Sequence, residues 1–402
     1  MPLVPFTNDA RERNAMTKYA LHASKFVLPS KVAGPGYLLV EDGKFGFYSD
    51  VAPEGIDVIE LGNRWVGPGL VDTHIHGFHN HATTDKDAAG INDASLALAK
   101  LGTTAWLPTT FTDDVEAIGD QCASIYEANA SREDSFLGAR IPGIFLEGPF
   151  FTEKYKGAQN PKYLTAPSYD DFASWQAKAH GLIKKSALAP EYPEAPAYVA
   201  QLTAEGVVTA LGHSDATFAQ TMRCVEAGST VFVHTYNGMR GLHHREPGLV
   251  GAAMVAPDTY AELICDGRHV VPGACEALVR AKGWDHVALI TDCLACGGMP
   301  EGNYMSGGLP VVLKDGLCWL ADMSAIAGSV LTLAKGVKNM VDWNIVSPEQ
   351  AIRMGSQVAA VSCNVGDVCG FIMPGRNADF NVFDPDMTLY DTYIGGVSVG
   401  RE

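Results

Sequence analysis

Apolar runs recur through the middle of the chain, each closing on a polar side chain or a glycine, with amphipathic stretches between them. A continuous apolar run bounded by turn residues is the pattern of a strand buried on both faces, as in a parallel sheet. The runs at 69–74, 104–109, 141–147, 183–189, 207–212, 230–235, 260–266 and 286–292 are predicted strands. The thinnest of these is 183–189, where Lys184 and Lys185 interrupt the pattern near its start. Helical stretches such as Ala94 to Leu101 and Gln220 to Ala227 fall between strands. Gly102 and Gly228 follow them, as suits a helix C-terminus. This alternation predicts an α/β fold, a (β/α)8 barrel of the TIM type.

The two ends read differently. A polar opening through Met16 is expected to fray. After it come β-like runs at Tyr19–Ala23, Gly36–Glu41 and Phe45–Tyr48, with a hairpin signal at Asp42-Gly43. Another β-like run, Ala378–Asp384, lies near the far end. The expectation is a small β-sandwich domain built from both chain ends, residues 1–67 and 366–402, around a barrel at 68–365.

A length of 402 residues accommodates a barrel plus such a module, and 47% hydrophobic with 19% charged residues is an ordinary globular profile. The net charge of −17 argues against non-specific binding to nucleic acid or anionic membranes. An anionic small substrate would then need a local basic pocket. Nine cysteines without regular spacing read as reduced thiols. The first residues lack a signal-peptide pattern, and no apolar run approaches the roughly 18 residues of a membrane span. The expected location is the cytoplasm.

The chemistry concentrates at strand ends, where barrels of this type carry their functional residues. His74 and His76 are two apart, so both side chains point to one side. Glu147 closes the third strand before Gly148-Pro149, His213 and His234 close the fifth and sixth, and Asp292 closes the last. Taken singly, each has an ordinary explanation: an exposed strand end, a salt-bridged Glu, a satisfied core His, an Asp capping a helix. Together, Glu147, His213 and His234 form the three-ligand set typical of catalytic Zn²⁺. A metal brings the pKa of a bound water to about 7, and a carboxylate at Asp292 can take and return a proton.

The same residues lie in longer motifs. These include Pro68-Gly69-Leu70-Val71-Asp72-Thr73-His74-Ile75-His76-Gly77, Leu146-Glu147-Gly148-Pro149-Phe150 and Gly212-His213-Ser214-Asp215. Further along are His234-Thr235-Tyr236-Asn237-Gly238-Met239, Arg245-Glu246-Pro247-Gly248, Asp266-Gly267-Arg268-His269 and Thr291-Asp292. From about Leu61 to Asp384 the chain resembles the N-acetylglucosamine-6-phosphate deacetylases of the amidohydrolase superfamily. The resemblance implies hydrolysis of the acetamide of a phosphorylated N-acetylamino sugar. It implies a divalent metal, Zn²⁺ first among the candidates, on Glu147, His213 and His234, with Asp292 as acid and base. Because both His74 and His76 are kept, a second ion bridged by Glu147 is part of the expectation. Asn237, the Gly238 backbone and Arg245 match phosphate-holding positions, and His269 matches a sugar-site His. The matching Arg reaches into a neighbouring subunit, which implies a homodimer.

Gln159 stands in a substrate-side loop where the family usually has His, and Gly238 where Ala is usual. His79 and His81 read as a solvated loop. His243 and His244 directly precede Arg245. Cys293 and Cys296 read as small packing residues beside Asp292. Lys184 and Lys185 lie too early in their strand to argue for a metal-bridging lysine. The alternatives are the galactosamine-6-phosphate counterpart, a hydrolase of another amide such as a cyclic one, and a binding protein without catalysis. The complete ligand set stands against the last.

Overall fold

The computed structural model describes residues 17–323 and 325–400; the polar opening through Met16 lies outside them. All eight predicted central strands form: β1 (Leu70–Ile75), β2 (Thr103–Pro108), β3 (Ile144–Leu146), β4 (Ile183–Leu188), β5 (Val208–Leu211), β6 (Val231–Phe232), β7 (Tyr260–Ile264) and β8 (Val287–Ile290). β1 and β2 pair in parallel, and β3 to β8 form a six-stranded parallel sheet in sequence order. Isolated parallel bridges join Thr109 to Phe145 and Ile75 to Cys293, so the sheet is curled. His76 N donates to Cys293 O and Asp292 N donates to His74 O, both at 2.8 Å, which brings the ends of β1 and β8 side by side.

Strand alternation explains the packing. Ala105, Leu107, Phe145, Ala187, Ala210, Val231 and Ala288 form one buried cluster on the inner side. Trp106, Ile144, Leu146, Leu188, Leu211 and Phe232, at the alternate positions, join a different cluster with the helices. Lys185 shares the inward parity of Ala187 and is completely buried. That is why β4 reads weakly: one of its two lysines is an interior residue. The helices start on conventional caps. Asp114 accepts from Ala117 N at the helix Val115–Ala130, and Thr217 with Gln220 makes a capping box at Phe218–Glu226.

The chain ends form two further sheets. One holds Lys18–Ala23, Gly36–Glu41, Lys44–Ser49 and Val58–Glu60. The other pairs Lys25–Val27 and Trp65–Pro68 with the C-terminal Phe380–Phe383 and Leu389–Ile394. They share a core that includes Leu21, Phe26, Leu38, Phe380 and Tyr393. The Asp42-Gly43 hairpin forms as expected, with φ of 50° and 72°, the positive values a two-residue turn of type I′ requires. An antiparallel four-stranded sheet, Gly302–Ser306 through Ile326–Gly328, follows β8 and was not apparent in the sequence pattern. Among the described residues no helix is long and apolar enough to cross a membrane.

Candidate active site and metal centre

The candidate ligands meet where the strands end. His213, His234 and Asp292 have φ of 45°, 26° and 50°, left-handed values uncommon for these residue types. The backbone leaves each strand at that residue, and strain of this kind collects at functional sites. Gly148, just after Glu147, has φ of 99°, and a Cβ there would lie 2.1 Å from Thr112 Oγ1. Gly148→Ala is therefore expected to cost roughly 1–3 kcal/mol, measurable by denaturant unfolding, and to displace Glu147.

Glu147 is the hub. Its Oε1 lies 3.1 Å from Nε2 of both His213 and His234 and 3.3 Å from His74 Nε2. Its Oε2 lies 3.2 Å from His76 Nε2 and accepts from Gln159 Nε2 at 2.7 Å. Asp292 Oδ1 is 3.3 Å from His76 Nε2 and 3.5 Å from His74 Nε2. The Asp292 side chain keeps 14% exposure against 2% for Glu147, so of the two carboxylates it is the more open.

Each imidazole has its other nitrogen occupied. Nδ1 faces Tyr155 O in His213, Asn237 O in His234, Thr109 O in His76 and a Glu262 carboxylate oxygen in His74. These partners only accept, so Nδ1 carries the proton and Nε2 offers its lone pair to the centre. Nε2 of His74 is buried without a hydrogen-bond partner. His213 and His234 bring their Nε2 atoms within 3.0 Å of each other. Three overlapping ligand groups result: Glu147/His213/His234, His74/His76/Glu147 and His74/His234/Asp292. Inward lone pairs, two carboxylates and an orphaned nitrogen fit a divalent cation.

The electrostatics agree. Burial opposes charge on His74, but Glu147 and Asp292 outweigh it and raise the imidazole to about 10. The carboxylates thus call for positive charge at this point. Burial likewise opposes charge on Asp292, yet His74 and His76 hold its carboxyl below the usual range, so it is ionised. Asp72 ties β1 to β8 beneath the site, accepting from His74 N, Thr291 N and the Thr291 hydroxyl.

A cavity of about 200 Å³ opens above the cluster. Gln159, Asn237, Gly238 and His269 line it, together with His76, Glu147, His213, His234 and Asp292. Gln159 is nearly buried and spans two partners, accepting from Thr112 N at 2.9 Å while donating to Glu147. Arg245 is not brought to the cavity; it is exposed and donates to His244 Nε2 at 2.8 Å. His79 is exposed, and His81 lies 3.9 Å from Asp93, so neither joins the site. Cys293 and Cys296 are buried, and the thiol in contact with Cys296 is that of Cys318, 3.1 Å away. Sequence reasoning missed Phe111, stacked on His76 at 3.9 Å, and Glu262 beneath the site, and it gave no role to Arg268 and Ile326–Gly328 at the cavity wall.

A curled parallel sheet with a His/Glu/Asp cluster at its strand ends defines a hydrolase of the metal-dependent amidohydrolase class. A model of the amidohydrolase family matches residues 65–399, and the chain belongs to that family. Within it, the chain belongs with the N-acetylglucosamine-6-phosphate deacetylases. The deacetylase of that name from Vibrio furnissii is 38% identical over 85% of this chain and 84% of its own. The one from Bacillus subtilis is 32% identical over 92% and 94%. An N-acetylgalactosamine-6-phosphate deacetylase from Escherichia coli O157:H7 is 33% identical over 87% and 92%. The solved N-acetyl-D-glucosamine-6-phosphate deacetylase of Mycobacterium smegmatis superposes with a TM-score of 0.89 at 27% identity, covering 95% of this chain and 100% of that one.

Proposed function

We propose that the protein hydrolyses the acetamide of N-acetylglucosamine 6-phosphate, giving acetate and glucosamine 6-phosphate. The observation that carries this reading is Asp292, partly open to the cavity, within 3.5 Å of the nitrogens that would hold a cation. Family membership supplies the substrate class. Glu147, His213 and His234 would hold the main ion, with Zn²⁺ the first candidate, and His74 and His76 with Glu147 a second. Bound there, a divalent ion supplies a Lewis acid for the carbonyl oxygen and an acidified water. Asp292 takes one proton from the attacking water and returns it to the departing nitrogen. The water oxygen ends in acetate and the sugar leaves as its amine. Asn237, the Gly238 amide and His269 hold the sugar phosphate.

Arg245 completes the phosphate site of a partner subunit in a homodimer, which accords with its exposure and its distance from its own chain's cavity. A guanidinium is a planar donor fork suited to phosphate. Arg245→Ala is expected to raise KM for the phosphorylated substrate by roughly 10-fold or more, the effect of one charge-assisted contact, with kcat little changed. Equal loss on the unphosphorylated sugar would remove Arg245 from phosphate binding. The barrel closes through β1 and β8, within boundaries near residues 68 and 365, and the end sheets form a separate domain. A reducing cytoplasm suits nine free thiols.

The E. coli O157:H7 relative favours the galacto epimer as a second reading. Acetate release from the two N-acetylamino-sugar 6-phosphates, measured in parallel, tests both. Faster release from the gluco sugar supports the first, the reverse supports the second, and no release from either contradicts both.

A further inference from the structure

Beneath the ligand imidazoles lies a charged pair that the proposed reaction does not use. Glu262 in β7 and Lys185 in β4 are both completely buried, and the Lys185 ammonium donates to Glu262 Oε1. The ammonium also donates to Thr73 O at 2.7 Å and sits 3.7 Å above the Phe145 ring. The second oxygen of Glu262 faces His74 Nδ1 at 3.1 Å and accepts from His234 N at 3.3 Å. One carboxylate therefore contacts the ring of one candidate ligand and the backbone of another. Removing two charges from water is costly, and apolar side chains of similar volume usually serve stability as well or better. Stability alone does not explain this pair.

We propose that Glu262 is a positioning residue: its carboxylate keeps the His74 proton on Nδ1, so that Nε2 presents its lone pair to a second cation between His74, His76 and Glu147, and Lys185 balances the Glu262 charge. The other three imidazoles use backbone carbonyls for this purpose. His74 alone among them uses a carboxylate, which makes the ring the stronger donor. Its Nε2 is also buried without a hydrogen-bond partner. Lys185 spends its donors on Glu262 and Thr73, so it is a counter-ion and not a bridging ligand. The inference rests on the metal-dependent reading above and refines it to the second ion.

The test compares two double variants of the full-length protein. Lys185→Met/Glu262→Gln removes both charges but leaves an amide oxygen for His74. Lys185→Met/Glu262→Leu removes the acceptor as well. Zn²⁺ stoichiometry and affinity are measured by competition with a chelator, alongside melting of the metal-free forms. The expected result is two ions in the wild type and in the Gln variant. In the Leu variant the first ion is unchanged and the second is weakened about 10–100-fold. Equal affinity for the second ion in both variants overturns the proposal. So does a wild type that binds one ion, which leaves the deacetylase reading intact; a wild type that binds none removes both. Should the Leu variant fail to fold, ¹⁵N NMR of the wild-type histidines decides. A protonated Nδ1 and a Zn²⁺-shifted Nε2 on His74 support the proposal, and a protonated Nε2 at saturating Zn²⁺ overturns it.

Discussion

Replacing Asp292 by Asn is expected to lower kcat by roughly 10²–10⁴-fold, the range of a lost general acid–base, while metal content and fold persist. Asn has nearly the same shape, so it fills the same space beside His74 and His76, but it cannot accept and return a proton. Asp292 is partly open to the cavity and its neighbours hold it ionised, which are the two conditions a base needs. Glu147, His213 and His234 contact one another directly, without Asp292 between them. The check is kcat together with metal analysis and thermal melting. Near-normal kcat would remove Asp292 from the proton transfers. Loss of metal in step with activity would make it a ligand first.

Glu147→Ala should do broader damage. Four imidazole nitrogens and the Gln159 amide converge on this one carboxylate. Without it, His213 and His234 lose the anion between them and Gln159 loses its acceptor. Bound metal should fall close to zero and turnover with it. Stripping one partner from a buried ion pair costs about 3–5 kcal/mol, so the unfolding midpoint in denaturant should fall as well. Atomic spectroscopy of the purified variant and its unfolding curve test this. A variant that keeps a full complement of metal would show that Glu147 is not a ligand.

Much of this arrangement was legible in the sequence, for a physical reason. Strands buried on both faces leave uninterrupted apolar runs, and their polar ends stand out against them. That is why Glu147, His213, His234 and Asp292 stand out in the sequence. The sheet at 302–328 left no such trace, because its strands are short and partly exposed, as in Gly302–Ser306, where half-buried and exposed residues alternate and only Ser306 is buried. Glu262 was hidden more deeply. It sits inside Tyr260–Ile264 like an ordinary strand residue, and its partner Lys185 is 77 positions away. The carbonyls of Tyr155, Asn237 and Thr109 that fix three imidazoles belong to the backbone, so no residue type announces them. Gln159 lines the cavity, and its clamp between Thr112 N and Glu147 depends on the fold, which a loop residue in the sequence does not announce.

The decisive measurement is acetate release from N-acetylglucosamine 6-phosphate by protein stripped of metal with a chelator and then reloaded with Zn²⁺. The expectation is negligible release from the stripped protein, recovery on reloading, and little recovery in Asp292→Asn reloaded to the same metal content. Release that is undiminished after verified removal of metal, or that is equal with and without Asp292, would contradict a hydrolase built on this cluster.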